Sequence, residues 1–254
     1  MSLGPSDVVA GRYELIRPLG GGDHGRVFLA DDRHLDRRVV LRVVEPGHPE
    51  RAATLRDEGR MMSAVQFDCL QAIPVLVDGE IPGGGAYLVS EFVEGIPLDE
   101  VVRSRAPLPL ARARTLALGL LDAGLAVRRS AGDRGEVVVA SALVTSDGHI
   151  RVTRFARAGG PGPEGADPAV AAVARTLADL LSGGPVPPAL HDVIADAAEG
   201  RIRSAEVLRE RLLGVPSGIE GDAEVTPPLA RWPWIVVAAM AVLLLAVVIL
   251  LWAL

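Results

Sequence analysis

Residues 13–30 read YELIRPLGGGDHGRVFLA, in which Gly20, Gly22 and Gly25 lie between two apolar stretches. A G-x-G-x-x-G spacing after an apolar run lets backbone amides approach phosphate groups, as in dinucleotide-binding folds. Such folds require a helix to begin at the last glycine, whereas residues 26–30 alternate as a strand does. The pattern therefore predicts two antiparallel strands joined by a glycine-rich turn. A plain hairpin without a ligand is the open alternative.

The strand pattern continues outward from this hairpin through the first part of the chain. Short runs rich in Val, Leu and Ile predict strands, and one helix with apolar residues at three- and four-residue spacings interrupts them. After residue 98 the pattern is mostly helical, with one hairpin at the Ser146-Asp147-Gly148 turn. The predicted strands are 13–19, 25–31, 38–44, 73–78, 86–92, 137–144 and 149–154, and the predicted helices are 50–65, 98–104, 110–130, 169–182, 188–198 and 204–213. The sequence thus predicts an α+β protein with a small strand-rich lobe before a helical lobe.

The composition restricts the classes of protein to which the chain can belong. The 254 residues carry a formal net charge of −6 and a single cysteine, Cys69. An acidic chain lacks the clustered positive charge that holds a phosphate backbone, so we expect no nucleic-acid partner. One cysteine excludes an intrachain disulfide and a Cys-based zinc site, and Cys69 is predicted to be a buried apolar side chain. All 26 basic residues are arginine, so the sequence offers no lysine for catalysis.

The last twenty residues, 235–254, contain no charge, glycine or proline. A helix of that length reaches about 30 Å, the thickness of a bilayer's hydrocarbon core. Trp232, Trp234 and Trp252 match the positions of interfacial aromatic side chains. Residues 232–254 are therefore predicted to form a transmembrane helix, with a buried core helix as the alternative.

The segments that flank the folded part complete the predicted organisation. Residues 214–231 are rich in Pro, Gly and acidic residues and are predicted to form a flexible linker. Arg231, the charge beside the predicted membrane helix, favours a cytoplasmic position for everything before it. The first nine residues lack the basic and apolar regions of a signal peptide. We therefore expect a single-pass, tail-anchored protein of the cytoplasmic membrane.

Several of these segments together resemble bacterial Ser/Thr protein kinases. The glycine motif, the strand after it and the first helix follow the order and spacing of that family's small lobe, and the later hairpin resembles the strand pair before its DFG motif. The matching segments are 19–27, 39–42, Glu58, 87–95, 141–152 and 201–208. The resemblance covers residues 9–213. It implies a bilobal kinase-like fold with an antiparallel-sheet small lobe and a helical large lobe.

The catalytic positions that the resemblance identifies carry unsuitable residue types for phosphoryl transfer. That reaction needs a cation on the phosphates, magnesium ligands and a base beside the substrate hydroxyl. The family's lysine, base, metal-binding asparagine and DFG aspartate are replaced by Arg42, Glu136, Ser141 and Arg154. A guanidinium cannot hold magnesium, which prefers oxygen ligands, so we expect no metal and no catalytic residue. Arg42 is instead expected to form a structural ion pair with Glu58.

A nucleotide pocket is only partly preserved in the resemblance. Val40 stands where the family has a small alanine, so the space beneath an adenine is narrower. Arg154 could neutralise phosphate charge, so ATP without magnesium is the one cofactor to consider, although weak or absent binding is the expectation. The residues that would surround it are Leu19, Gly20, Gly22, Gly25, Val27, Val40, Arg42, Glu58, Glu91, Val93 and Leu143.

These departures, together with the opening at 8–13 and the DFG variant at 151–156, resemble actinobacterial pseudokinases. The resemblance implies a catalytically inactive domain that regulates the cell envelope by docking a cytoplasmic protein at the membrane. Candidate partners are a true kinase and a phosphopeptide-binding protein, and Thr226 beside Pro227 is a predicted phosphorylation site. An atypical active kinase and a nucleotide-sensing module without phosphotransfer are the alternatives.

Overall fold

A computed structural model describes residues 3–22, 25–131, 137–157 and 167–216. Residues up to Pro216 form one compact unit. The predicted linker beyond that point, the predicted transmembrane helix, Thr226 and Glu136 lie outside the described residues. Among the residues that are described, no helix is both long and apolar enough to cross a membrane.

The small lobe is an antiparallel sheet in which the strand order is β1-β2-β3-β4-β6-β5. Strand β4 shows why this sheet forms, since Val39, Leu41 and Val43 alternate with outward-facing residues and are at most 1% exposed. The strands are β1 (Val8–Val9), β2 (Tyr13–Gly22), β3 (Gly25–Asp32), β4 (Arg37–Val44), β5 (Val75–Ile81) and β6 (Gly85–Glu91).

One helix, α1 (Pro49–Val65), packs against strand β6 of this sheet. Proline occupies its first position and Glu50 its first turn, both of which suit a helix N-terminus. The buried face of α1 includes Leu55, Met62 and Glu58, the last of which is a carboxylate among apolar neighbours. A buried carboxylate requires a cationic partner, and this requirement determines the site described below.

The large lobe packs its helices around an apolar core. Phe155, Leu177 and Leu180 are at most 1% exposed within it. A small sheet of order β7-β8-β9 contributes Val144 and Val152 to the same core. The elements are β7 (Ile96–Pro97), α2 (Leu98–Arg105), α3 (Leu110–Ala131), β8 (Val137–Val144), β9 (Ile150–Arg157), α4 (Pro168–Leu181), α5 (Pro188–Ala198) and α6 (Ala205–Gly214).

Helix α4 begins at a capped terminus that also holds two elements together. The Asp167 side chain accepts from the Ala169 amide at 2.9 Å and pairs with Arg128 of helix α3. The Asp167 amide donates to the Arg203 carbonyl at 3.0 Å, so the same residue contacts the segment before α6. One buried aspartate therefore fixes the start of α4 against α3 and the final helix.

The two lobes are joined by main-chain hydrogen bonds near strand β9. The Ile73 amide donates to the Val152 carbonyl at 3.0 Å, and the Val152 amide donates to the Gln71 carbonyl at 2.6 Å. The chain before strand β5 thus pairs with the large lobe. For this reason β5 begins at Val75 rather than at the predicted residue 73.

The folded part extends slightly beyond the predicted start of the linker. Gly214 is the last residue of α6, and Val215 is 5% exposed. The Val215 carbonyl accepts from Arg114 Nη1 at 2.8 Å, which holds this end of the chain against helix α3.

Candidate functional site: the interlobe cleft

A cavity of about 890 Å³ lies in the cleft between the lobes. Gly22, Val27 and Arg42 of the small lobe line it together with Ser141 and Arg154 of the large lobe. The sequence had placed all five at or around a nucleotide site. Residues from separate segments of the sequence thus come together around one cavity.

Glu58 lies beneath this cavity between two arginines. Its Oε2 accepts from Arg42 Nη1 at 2.6 Å, which is the predicted ion pair between strand β4 and helix α1. Its Oε1 accepts from Arg154 Nη1 at 3.4 Å, a contact that the sequence did not indicate. Glu58 is 4% exposed, so the two guanidinium groups stabilise a carboxylate that water scarcely reaches. Arg154 therefore connects strand β9 of the large lobe to α1 of the small lobe.

The surroundings of Arg42 lower the pKa of its guanidinium group but leave the group charged. Burial lowers the pKa of Arg42 from its ordinary value, Glu58 acts to raise it, and Arg154 lowers it further. Arginine stays protonated through such changes because its ordinary pKa is very high. Arg42 is consequently a fixed cation whose hydrogen bond is directed at Glu58.

The charges of the cleft balance, so it presents no strong positive electrostatic potential to a polyanion. The positive charges of the cavity lining come from Arg42, Arg103 and Arg154. An equal number of negative charges comes from Asp99 and Asp179 of the lining and from the buried Glu58. Asp99 also pairs directly with Arg103 at 3.4 Å on helix α2. A triphosphate without magnesium would have to compete with these carboxylates for the arginines.

The resemblance implies a magnesium ligand at position 154, and the residue in the cavity lining there is Arg154. A guanidinium group offers no oxygen to magnesium, which prefers oxygen ligands. Ser141 lies opposite Arg154 in the pairing of β8 with β9 and supplies at most one neutral oxygen. In the described part of the chain no three His, Cys, Asp or Glu side chains are grouped as a metal site would need.

The glycines of the hairpin have different structural roles. Gly25 has a φ of +95°, and a Cβ at this position would lie 2.5 Å from the Val43 carbonyl oxygen. Gly20 and Gly22 have no atom within 4 Å of such a Cβ. The backbone thus needs glycine at Gly25 for its own conformation, while Gly20 and Gly22 border open space and Gly22 also lines the cavity.

The remaining predicted residues of the nucleotide pocket lie outside the cavity lining. Leu19 is 40% exposed near the tip of the hairpin, and the Glu91 amide donates to the Pro74 carbonyl at 3.0 Å. Leu143 is half-buried, and its neighbour Ala142 lines the cavity in its place. Also outside the lining are Gly20, Gly25, Val40, Glu58 and Val93.

Three charged residues that line the cleft were not predicted from the sequence. Asp99 and Arg103 come from helix α2, and Asp179 comes from α4. The only sequence signal was the four-residue spacing of Asp99 and Arg103, which marks an ion pair on a helix but not the surface that it faces.

The chain is similar in sequence to curated bacterial kinases. It is 36% identical over 137 residues to the serine/threonine-protein kinase pkn2 of Myxococcus xanthus, covering 51% of this chain and 16% of that protein. It is 29% identical over 153 residues to the serine/threonine-protein kinase PknA of Mycobacterium tuberculosis, covering 58% of this chain and 35% of that protein. The chain thus spans about a third or less of these relatives. No protein-family model matches it.

Solved kinase domains share the fold. The kinase domain of Mycobacterium tuberculosis PknI, solved as a double mutant, superposes with a TM-score of 0.63 at 22% identity, covering 84% of this chain and 98% of that chain. The apo form of PpkA-294 gives a TM-score of 0.65 at 16% identity, covering 83% and 99% of the two chains. The chain is therefore protein-kinase-like in sequence and in fold, and the relatives that it resembles are bacterial Ser/Thr protein kinases.

Proposed function

We propose that this kinase-like domain is a pseudokinase that regulates or docks a protein partner and transfers no phosphate. The observation that carries the proposal is Arg154, a guanidinium in the cleft at the position where the resemblance implies a metal-binding carboxylate. The linker and transmembrane helix expected from the sequence would hold the domain at the cytoplasmic membrane. A role in cell-envelope regulation rests on the resemblance alone.

The ion pairs of Glu58 with Arg42 and Arg154 support this proposal because they give the charged residues of the cleft a structural role. In phosphoryl transfer, the strand cation must contact the nucleotide's phosphates and the metal must neutralise their charge. Here Arg42 and Arg154 both contact Glu58, so the two lobes are connected without either nucleotide or metal. A domain that is held together in this way can present a constant surface to a partner.

A nucleotide-sensing module without phosphotransfer is the second candidate. The observation in its favour is the size of the cleft, since about 890 Å³ lies within the range of small-molecule sites. ATP would then bind through Arg42 and Arg154 and change the balance of lobe arrangements. The carboxylates that match the cleft's arginines argue for weak binding, and so this candidate stands second.

A phosphotransfer assay on the purified full chain tests the proposal. The chain is incubated with radiolabelled ATP, magnesium or manganese, and a mixture of Ser- and Thr-containing peptides, beside an active bacterial Ser/Thr kinase. We expect no metal-dependent transfer. Transfer that Arg42→Met abolishes and Arg38→Met retains would overturn the proposal, because Arg38 is an exposed residue of the same strand. Transfer that both variants retain would identify a contaminating kinase and leave the proposal standing.

Thermal unfolding separates the two candidates. A ligand present at 100 times its dissociation constant stabilises a protein by about 2.7 kcal/mol. No shift with millimolar ATP favours a docking domain. A shift that occurs without magnesium and is lost in Arg154→Met favours nucleotide sensing.

A further inference from the structure

A second cavity, of about 570 Å³, lies beside the cleft and shares helix α2 with it. Asp99 and Arg103 of that helix line the cleft, whereas Val101 and Arg105 line the second cavity. The first turn of α3 and the turn after β8 complete its wall. None of the positions that matched the family's catalytic motifs lies in it.

Two arginines give the lining of this cavity a net positive charge. Arg105 and Arg112 are both exposed, and within the described part of the chain neither makes a hydrogen bond or an ion pair. Most arginines of the domain are instead paired, as Arg103 is with Asp99. Glu94 is the acidic residue of this cavity's lining, so the two guanidinium groups leave one net positive charge.

The rest of the wall is apolar and well supported. Val101 and Val144 are 3% and 4% exposed and form part of the base of the cavity, and Leu108 lines it beside them. The Leu108 amide donates to the Leu180 carbonyl at 2.8 Å, which fixes the loop between α2 and α3. A firm apolar base below two cations can recognise an apolar side chain next to an anionic one.

Main-chain packing holds the opposite wall in place. Ile96 pairs with Val144 in the sheet, and a Cβ on Gly95 would lie 3.0 Å from the Val144 carbonyl oxygen. The Thr145 amide donates to the His149 carbonyl at 3.0 Å, which closes the turn that carries Ser146, another residue of the lining. Arg105, Arg112 and Ser146 therefore lie on hydrogen-bonded backbone, which lowers the cost of ordering the site on binding.

We propose that this cavity binds an acidic segment of a partner protein. An anionic side chain of the segment pairs with Arg105 and Arg112, and a neighbouring apolar side chain packs against Val101 and Leu108. Arginine suits this role because its planar fork binds carboxylate and phosphate in two-point fashion. The inference rests on the docking role proposed above and specifies the surface that performs it.

The test measures binding of short fluorescent peptides to the full chain by anisotropy. The probes are acetyl-Leu-Glu-Glu-Leu-amide, the same peptide with phosphoserine at one acidic position, and acetyl-Leu-Gln-Gln-Leu-amide as the neutral control. We expect the acidic peptides to bind and the neutral one to bind at least about tenfold more weakly, because the neutral amides cannot form charge-assisted hydrogen bonds with the two guanidinium groups. Comparison of the two acidic peptides shows whether carboxylate or phosphate is preferred.

Paired variants assign the binding to the cavity. Arg105→Gln with Arg112→Gln is expected to weaken binding of the acidic peptides at least tenfold. Arg17→Gln with Arg38→Gln removes the same charge from exposed small-lobe strands and is expected to change it less than twofold. Equal effects of the two pairs, or equal binding of the neutral peptide, would overturn the site. Neither outcome would bear on the phosphotransfer assay, so failure of this inference is distinct from failure of the proposed function.

Discussion

Arg154 of strand β9 lies 3.4 Å from Glu58 of helix α1, so that a large-lobe strand and the small-lobe helix share one buried carboxylate. Arg42 contacts the other oxygen of the same group at 2.6 Å. Removing a partner from a buried ion cluster costs more than the cluster itself contributes, since the remaining charges lose both water and each other.

Glu58→Gln is the substitution that tests this cluster. It leaves two partly buried arginines facing a neutral amide, and we expect the free energy of unfolding to fall by about 3 kcal/mol. Urea denaturation followed by circular dichroism measures the change. Glu80→Gln is the matched control, because the Glu80 side chain is 79% exposed and its ion pair should contribute less than about 1 kcal/mol. Equal losses in the two variants would contradict a special role for Glu58.

The glycine hairpin gives a second prediction, in which two nearby glycines should behave differently. Gly25→Ala forces a side chain into a φ of +95° and against the Val43 carbonyl, and should lower the free energy of unfolding by about 2–3 kcal/mol. Gly20→Ala meets no atom within 4 Å and should change it by less than about 0.5 kcal/mol. Thermal melts of the two variants provide the measurement. A harmless Gly25→Ala would show that the hairpin has another conformation in solution.

The ion pair of Asp32 with Arg12 leads to a prediction about the stability of the domain at low pH. Hydrogen bonds from Arg12 at 2.7 and 2.8 Å lower the pKa of Asp32 to about 2, although burial opposes them. Because the folded-state pKa lies below the unfolded one, the stabilisation is complete above about pH 4 and is lost as the pH falls towards 2. Arg12→Met should therefore destabilise the domain near neutral pH, where Asp32 is ionised and loses its partner.

The pH dependence of that difference distinguishes the ion pair from simple loss of packing. Denaturation of wild type and Arg12→Met is compared between pH 6 and 2, with Arg17→Met as an exposed control. The gap between wild type and Arg12→Met should narrow below about pH 4. A gap that is constant over this range would mean that Arg12 acts through its aliphatic stem alone.

Asp167 gives a prediction that separates a helix cap from an ion pair. Asp167→Ala removes both the acceptor for the Ala169 amide and the partner of Arg128, and should cost about 1–2 kcal/mol. Asp167→Asn keeps a capping oxygen while it loses the charge, and should cost about half as much. The comparison uses the midpoint of chemical denaturation. If the Asn variant is as unstable as the Ala variant, the ion pair rather than the cap carries the effect.

Local patterns were enough to predict most of the elements. Strand β8 at Val137–Val144 and helix α5 at Pro188–Ala198 have the predicted bounds, because apolar periodicity and turn residues mark them directly. The two-residue strands β1 and β7 were not predicted, since pairs this short have no periodicity. Strand β9 runs three residues past its predicted end because its last residues pair with the start of β8.

The site was harder to predict than the fold. The pair of Arg42 with Glu58 followed from the resemblance, and the structure contains it. The contact of Arg154 with Glu58 joins residues 96 positions apart, and no local signal encodes such a distance. The same holds for the bidentate pair of Arg12 and Asp32, whose residues are adjacent only because strands β2 and β3 are paired.

The main-chain bonds of Val152 to Gln71 and Ile73 have a consequence for amide hydrogen exchange. Both bonds join the segment before β5 to strand β9, so a deuteron replaces either amide proton when this contact opens. Amides in the centre of strand β4 exchange when the small-lobe sheet itself opens. The ratio of these two exchange rates thus compares opening of the contact with opening of the sheet, and it gives a readout of whether a bound peptide or nucleotide tightens that contact.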